Sequence, residues 1–177
     1  QRRPLMALTA REQGAGGGGI IVSRKMRLPT APAGKCRWCK GDVPKGRLTW
    51  CSDTCVDEYR IRAEPGFVRA KLRVRDKGVC ALCGLDCLAL QEELKRLRWT
   101  SPTGEGGYAL WMARKAELGL PPHRSTLWDA DHIVPVIEGG GQCGLDGYRT
   151  LCWKCHARVT ADLAARLAAA RREARPR

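Results

Sequence analysis

The apolar positions of this chain follow two rhythms. Leu90, Leu94 and Leu97 fall at helical spacing within 88–99, and 108–120 reads as another helix, stopped by Gly119 and the Pro121-Pro122 pair. A third helix is predicted over 67–76, with Phe67, Leu72 and either Val68 or Ala70 turned inward. Ser52 and Asp53 suit the cap of a helix through 56–62, which Pro65 and Gly66 then interrupt. The rhythm changes to a strand in "WDADHIVPV", 128–136. A glycine-rich loop, 138–144, follows, and 148–151 should return as a short strand along the first. "CWKCH", 152–156, opens a helix that continues as Ala/Arg-rich sequence over 163–175. Segment 101–107 reads as a loop. The sum is an α+β chain.

The core available to these elements is thin in aromatics: one Phe and three Tyr, with six Trp, in 177 residues. Ten cysteines can supply what the core lacks. They fall as three CxxC pairs, Cys36/Cys39, Cys80/Cys83 and Cys152/Cys155, and one CxxxC pair, Cys51/Cys55. Four thiolates close a structural zinc site, so these eight imply two zincs. Cys36, Cys39, Cys51 and Cys55 lie close enough in sequence for a local finger. Cys80 and Cys83 must then meet Cys152 and Cys155 across 69 residues. Closing that loop costs roughly 4 kcal/mol plus a constant, and a structural zinc contributes about 10–16 kcal/mol. The long span is therefore no obstacle. The rival is a disulfide framework, which the close spacing and the lack of an apolar leader disfavour. Cys87 and Cys143 are left over and read as buried thiols, although "GQCG" leaves a role open for Cys143.

A net charge of +14 points to a polyanionic partner, nucleic acid before membrane. No apolar run approaches the roughly 20 residues of a membrane span. Arg69, Lys71, Arg73 and Arg75, with Arg166, Arg171, Arg172 and Arg175, are candidate phosphate contacts. The first 33 residues carry six Lys/Arg against a single acid, and read as a disordered basic tail. A chain that opens on Gln1 reads as a fragment or a processed form.

Asp131 and His132 stand inside the apolar strand, on opposite faces by alternation. A zinc joining the knuckle at 80–83 to the one at 152–155 would bring His132 near His156. By residue type alone two readings stay open. The residues form a site, or His132 is a satisfied core histidine and His156 a cap or substitute ligand.

The string "DADHIVPVIEGGGQCGLDGYRTLCWKCH", with "VRDKGVCALCG" at 74–84, resembles the zinc-stapled branch of the HNH endonuclease family. That branch occurs in phage and bacterial nucleases and in domains fused to SNF2-type helicases. The resemblance covers about 68–162, with an insert at 88–127. The finger at 36–55 is similar to FCS-type treble-clef fingers. The resemblance implies a ββα-metal (His-Me finger) core. Asp131 and His156 would hold a catalytic divalent ion, Mg²⁺, Mn²⁺ or another, and His132 would be the general base. Cys80, Cys83, Cys152 and Cys155 would be the structural zinc ligands. Gly147 stands where the family has Asn, with Asp146 or water as possible substitutes; an Asn restored there is expected to strengthen a weak enzyme.

The expected organisation is a basic disordered tail (1–34), a zinc finger (35–66), an HNH nuclease domain with a helical insert (67–162, insert 88–127) and a basic C-terminal helix or tail (163–177). The expected function is metal-dependent endonucleolytic hydrolysis of DNA. The alternatives are a weakened or inactive zinc module that binds nucleic acid, as Gly147 suggests, and an adaptor that binds protein through the finger. A protein partner or a fused helicase fits the family. So does an intracellular, reducing setting: cytoplasmic for a bacterium or phage, nuclear for a eukaryote.

Overall fold

The computed structural model describes residues 26–99 and 105–174. Most of the expected basic tail and of the 101–107 loop lies outside these residues. So does Arg175.

Helix α1 (Asp53–Ala63) starts where Ser52 can cap it: its hydroxyl accepts from the Cys55 amide. The expected interruption falls at the extended Glu64, and Pro65 and Gly66 are already the first residues of α2 (Pro65–Asp76). At a first helical position proline forfeits no hydrogen bond. Val68 and Leu72 are its buried residues, Phe67 packs at the edge of the core, and Ala70 faces solvent. Asp86 caps α3 (Cys87–Trp99), accepting from the amides of Leu88 and Ala89. Helix α4 (Glu105–Glu117) ends at Gly119, whose φ of 64° is left-handed.

Lys115 on α4 is almost fully buried, over the Trp111 ring. Its ammonium donates to the carbonyls of Pro122 and Arg124, at 2.5 and 3.0 Å. Burial lowers its pKa. Those two bonds fasten the segment that delivers the chain into the sheet.

The sheet is one antiparallel pair, β1 (Trp128–His132) with β2 (Tyr148–Cys152). Strand β1 is shorter than the alternating pattern suggested. Pairing runs from Trp128 opposite Cys152 to His132 opposite Tyr148. Beyond it the partner chain is a 3-10 turn (145–147), so only one further bond forms, from the Ile133 amide to the Gly147 carbonyl. Pro135 has no amide to extend the ladder. Ile133, Val134 and Val136 are therefore not sheet core but partly exposed loop. Two more 3-10 turns, 136–138 and 140–142, complete the connection. Gly140 is required there, because a Cβ would sit 1.7 Å from the Val134 carbonyl oxygen.

Helix α5 (Trp153–Glu173) follows β2 without a linker and runs unbroken past residue 162. It covers one face of the hairpin and α2 the other. On the α2 side, Thr150 is fully buried and donates to Asp76 at 2.8 Å. Leu72, Leu151, Thr150, Cys80, Cys87 and Cys152 are the innermost side chains of this core, and Cys36 is the fully buried side chain outside it. Each of the two leucines contributes about 1.5–3 kcal/mol by burial. Half of that inner set is cysteine, so the sulfur atoms are part of the packing. Among the described residues no helix is long and apolar enough to cross a membrane.

Candidate metal centres

Two groups of four thiols converge: Cys36, Cys39, Cys51 and Cys55, and Cys80, Cys83, Cys152 and Cys155, with the ligand atoms of each group within 4.8 Å of one another. Contacts of 3.5 Å (Cys39–Cys51), 3.4 Å (Cys51–Cys55) and 3.7 Å (Cys83–Cys152) are far beyond a disulfide bond. They suit sulfurs on a tetrahedral ion, which at 2.3 Å from each would stand about 3.8 Å apart. All ten cysteines are free. The pairing read from chain order is the one formed, and each set can hold a zinc ion.

Both groups are built alike. The knuckle at 36–41 closes through the Cys36 amide on Gly41 and the Lys40 amide on Cys36. The knuckle at 80–85 repeats this with Cys80 on Leu85 and Gly84 on Cys80. Each is flanked by one antiparallel bridge, Lys35 with Asp42 and Val79 with Asp86. The second cysteine pair of each group sits at a helix start, α1 or α5. In each group backbone amides favour thiolate at one cysteine, while burial pushes Cys55 and Cys155 up to about 12. Burial pushes Cys80 up, but amides of Cys152, Leu82 and Cys83 outweigh it and bring the thiol down to about 6. In the same way Cys36 overcomes its burial through amides of Cys51, Cys39 and Trp38 and falls to about 6. Cys87 lies outside both groups, fully buried, and burial pushes it up to about 12. It is an inert packing thiol.

A third cluster lies between the hairpin and α5. Alternation puts Asp129 and Asp131 on one face of β1, under the first turn of α5. There His156 places Nε2 3.9 Å from Asp131 Oδ1 and Nδ1 3.4 Å from Asp129 Oδ2. Arg149, directly across the sheet, donates to Asp131 Oδ2 at 2.9 Å, and Arg124 pairs with Asp129. Ligand atoms about 2.1 Å from one ion are separated by roughly 3–4.2 Å. The Asp131–His156 spacing therefore fits a shared divalent cation.

His132 is on the opposite face, its ring 4.3 Å from that of Tyr148. Its Nε2 is buried and has no hydrogen-bond partner among the described residues. Burial lowers its pKa, partly opposed by Asp131, so the ring is neutral at pH 7. Hence the fold brings Asp131 and His156 together and leaves His132, the sequence neighbour of Asp131, turned toward the α2 side.

Gly147 has a spatial cause. A Cβ there would lie 2.4 Å from Cys143 Cβ and 2.5 Å from its Sγ. Cys143 occupies the room an Asn side chain would need, so Asn could enter only if Cys143 shifts. Asp146 sits in the same turn.

The basic segment on α2 is also reassigned. Arg69 donates to the Trp128 carbonyl and stacks on its ring at 4.0 Å. Lys71 pairs with Asp57, and Arg75 binds Asp76 and the carbonyls of Leu145 and Tyr148. Arg69 and Arg75 thereby tie α2 to the hairpin and Lys71 ties it to α1, with Arg75 still exposed and Lys71 partly so. Arg166 pairs with Glu138 at 3.0 Å, while Arg171 and Arg172 are exposed. Sequence reading missed Asp129, Arg124 and Arg149. The i, i+2 carboxylates of "WDAD" were the available signal for the first.

Residues 119–162 match the model of a family described as HNH endonuclease. The Mus musculus protein named DNA annealing helicase and endonuclease ZRANB3 is 38% identical over 123 residues, covering 65% of this chain and 11% of that protein. Its Homo sapiens counterpart is 36% identical over 142 residues, covering 76% and 13%. This chain thus spans little more than a tenth of the length of those relatives. The crystal structure of the human ZRANB3 HNH domain is 35% identical, with a TM-score of 0.40, covering 60% of this chain and 95% of that one. The segment 119–162, which holds the hairpin and the start of α5, is thus a domain of the HNH endonuclease family.

Proposed function

We propose that this chain is a metal-dependent DNA endonuclease module that hydrolyses phosphodiester bonds. The observation that carries the reading is the pairing of Asp131 on β1 with His156 on α5 at a spacing one divalent cation can bridge. Asp131 and His156 would hold that ion, Mg²⁺ or Mn²⁺ by the oxygen-rich surroundings. Bound there, it would supply Lewis-acid stabilisation of charge on the phosphate and on the departing oxygen. His132 takes the proton from the attacking water: it is neutral at pH 7, and its Nε2 has no competing partner. For this the ring would have to leave its place against Tyr148 and turn toward the water. The P–O3′ bond breaks, leaving a 3′-hydroxyl and a 5′-phosphate. Exposed Arg171 and Arg172 on α5, and the net charge of +14 of the chain as a whole, supply phosphate attraction.

The test is plasmid nicking with Mg²⁺ or Mn²⁺ against an EDTA control, alongside His132→Ala. Cleavage should depend on added metal and disappear in the variant, with zinc content and DNA binding retained. Undiminished cleavage by His132→Ala would remove the base assignment.

A second reading is a nucleic-acid-binding module without cleavage. The shielded position of His132 opposite the acidic face favours it, as does Gly147 crowded by Cys143. No nicking under any metal, with salt-sensitive DNA binding intact, would select it. The relatives' names join helicase to endonuclease, so a helicase, fused or separate, is the natural partner. Free thiols in such number suit a reducing, intracellular setting, nuclear in a eukaryote.

A further inference from the structure

We infer that Asp129 is a positioning residue for the divalent-cation site, acting through His156; this rests on the reading that Asp131 and His156 hold the cation. The two ring nitrogens of His156 face different carboxylates. Nδ1 is 3.4 Å from Asp129 Oδ2, and Nε2 is 3.9 Å from Asp131 Oδ1. A neutral imidazole carries one proton, and a carboxylate beside one nitrogen draws it there. Asp129 therefore holds the proton on Nδ1 and leaves the Nε2 lone pair directed toward Asp131. That is the tautomer a cation needs if it is to be shared with Asp131. A carboxylate behind a ligating imidazole also fixes the ring's orientation and raises its basicity.

Two features make Asp129 more than a neighbour. Strand periodicity places it and Asp131 on the same face, two residues apart, under the one turn of α5 that carries His156. Arg124 grips Asp129 Oδ2, the same oxygen that faces His156, and also donates to the Thr126 carbonyl. Arg124 itself is fixed from behind, since its carbonyl accepts from the buried Lys115. The chain Lys115, Arg124, Asp129, His156 thus runs from the buried side of α4 to the proposed site. Arg149 holds Asp131 in the corresponding way from β2. Each carboxylate has its own arginine, but only Asp131 is left with an oxygen facing Nε2.

The experiment uses the zinc-loaded chain as it stands, in wild-type, Asp129→Asn, Asp129→Glu and His156→Ala forms. Long-range ¹H–¹⁵N NMR of the histidines, without added divalent ion, reads the His156 tautomer. Titration with Mn²⁺, followed by electron paramagnetic resonance, reads affinity. Zinc content and circular dichroism check the fold. The expected result is an Nδ1–H tautomer in wild type that is lost in Asp129→Asn. Mn²⁺ affinity should fall about 10–100-fold in that variant with zinc unchanged, and Asp129→Glu should restore part of it. A wild-type Nε2–H tautomer, or Asp129→Asn binding Mn²⁺ within twofold of wild type while His156→Ala loses it, would overturn the role of Asp129. Mn²⁺ binding that His156→Ala leaves untouched would instead overturn the cation site itself.

Discussion

The two tetrathiolate groups use the same parts, a CxxC knuckle and a helix start, yet they do different work. The first draws its cysteines from 36–55 and organises a local unit around α1. The second spans 80–155, and three of its cysteines lie in the hydrophobic core with Leu72, Leu151 and Trp153. Loop length separates the two closures by only about 1 kcal/mol; what differs is what a bound ion would join, the unit around α1 in the first and α5 with the hairpin in the second. The same chemistry is thus a local brace in one place and a condition for the whole fold in the other.

The sharpest test of that contrast is Cys152→Ser. Losing a site worth about 10–16 kcal/mol from a domain stable by about 5–15 kcal/mol should abolish cooperative folding, seen as lost NMR dispersion and thermal transition. Cys39→Ser should be smaller in scope. Bound zinc should fall by one ion per chain and signals from 36–63 should broaden, while β1 and β2 keep theirs. If the hairpin melts as well, the two groups are one cooperative unit and the contrast fails.

Smaller effects probe the join between the regions. Arg62 donates to the Gln142 carbonyl and stacks on Trp38 at 4.8 Å, so α1 also touches the loop that carries Cys143 and Gly147. Gly147→Asn in that loop should cost about 1–3 kcal/mol by overpacking against Cys143, measured by chemical denaturation, and should not raise nicking. Adding Cys143→Gly should recover part of the loss. Smallest, Arg69→Gln should lower stability by about 1 kcal/mol through its bond to the Trp128 carbonyl. The salt dependence of DNA binding should stay unchanged, in contrast to Arg171→Gln, which should flatten it.

Much of the fold was legible in the residues. Leu90 and Leu94 marked the buried side of α3, Ser52 marked a cap, and the CxxC spacing gave both sulfur clusters, because these signals are local or carry fixed ligand geometry. The end of β1 was not legible. Ile133, Val134 and Val136 look like strand core, but a strand ends where its partner stops offering hydrogen bonds, and that depends on the turn at 145–147. The roles of Arg69, Lys71 and Arg75 were hidden for a similar reason: nothing in a basic run says whether a carbonyl or solvent lies opposite.

The sequence by itself determined the metal-binding chemistry, since eight thiols in paired spacing leave few other outcomes, and it placed Asp131, His132 and His156 in one neighbourhood. Only the tertiary structure decided which of them meet. The two-residue period of β1 sends Asp129 and Asp131 to His156 and turns His132 the other way, and the packing of α5 on one face and α2 on the other makes that division final.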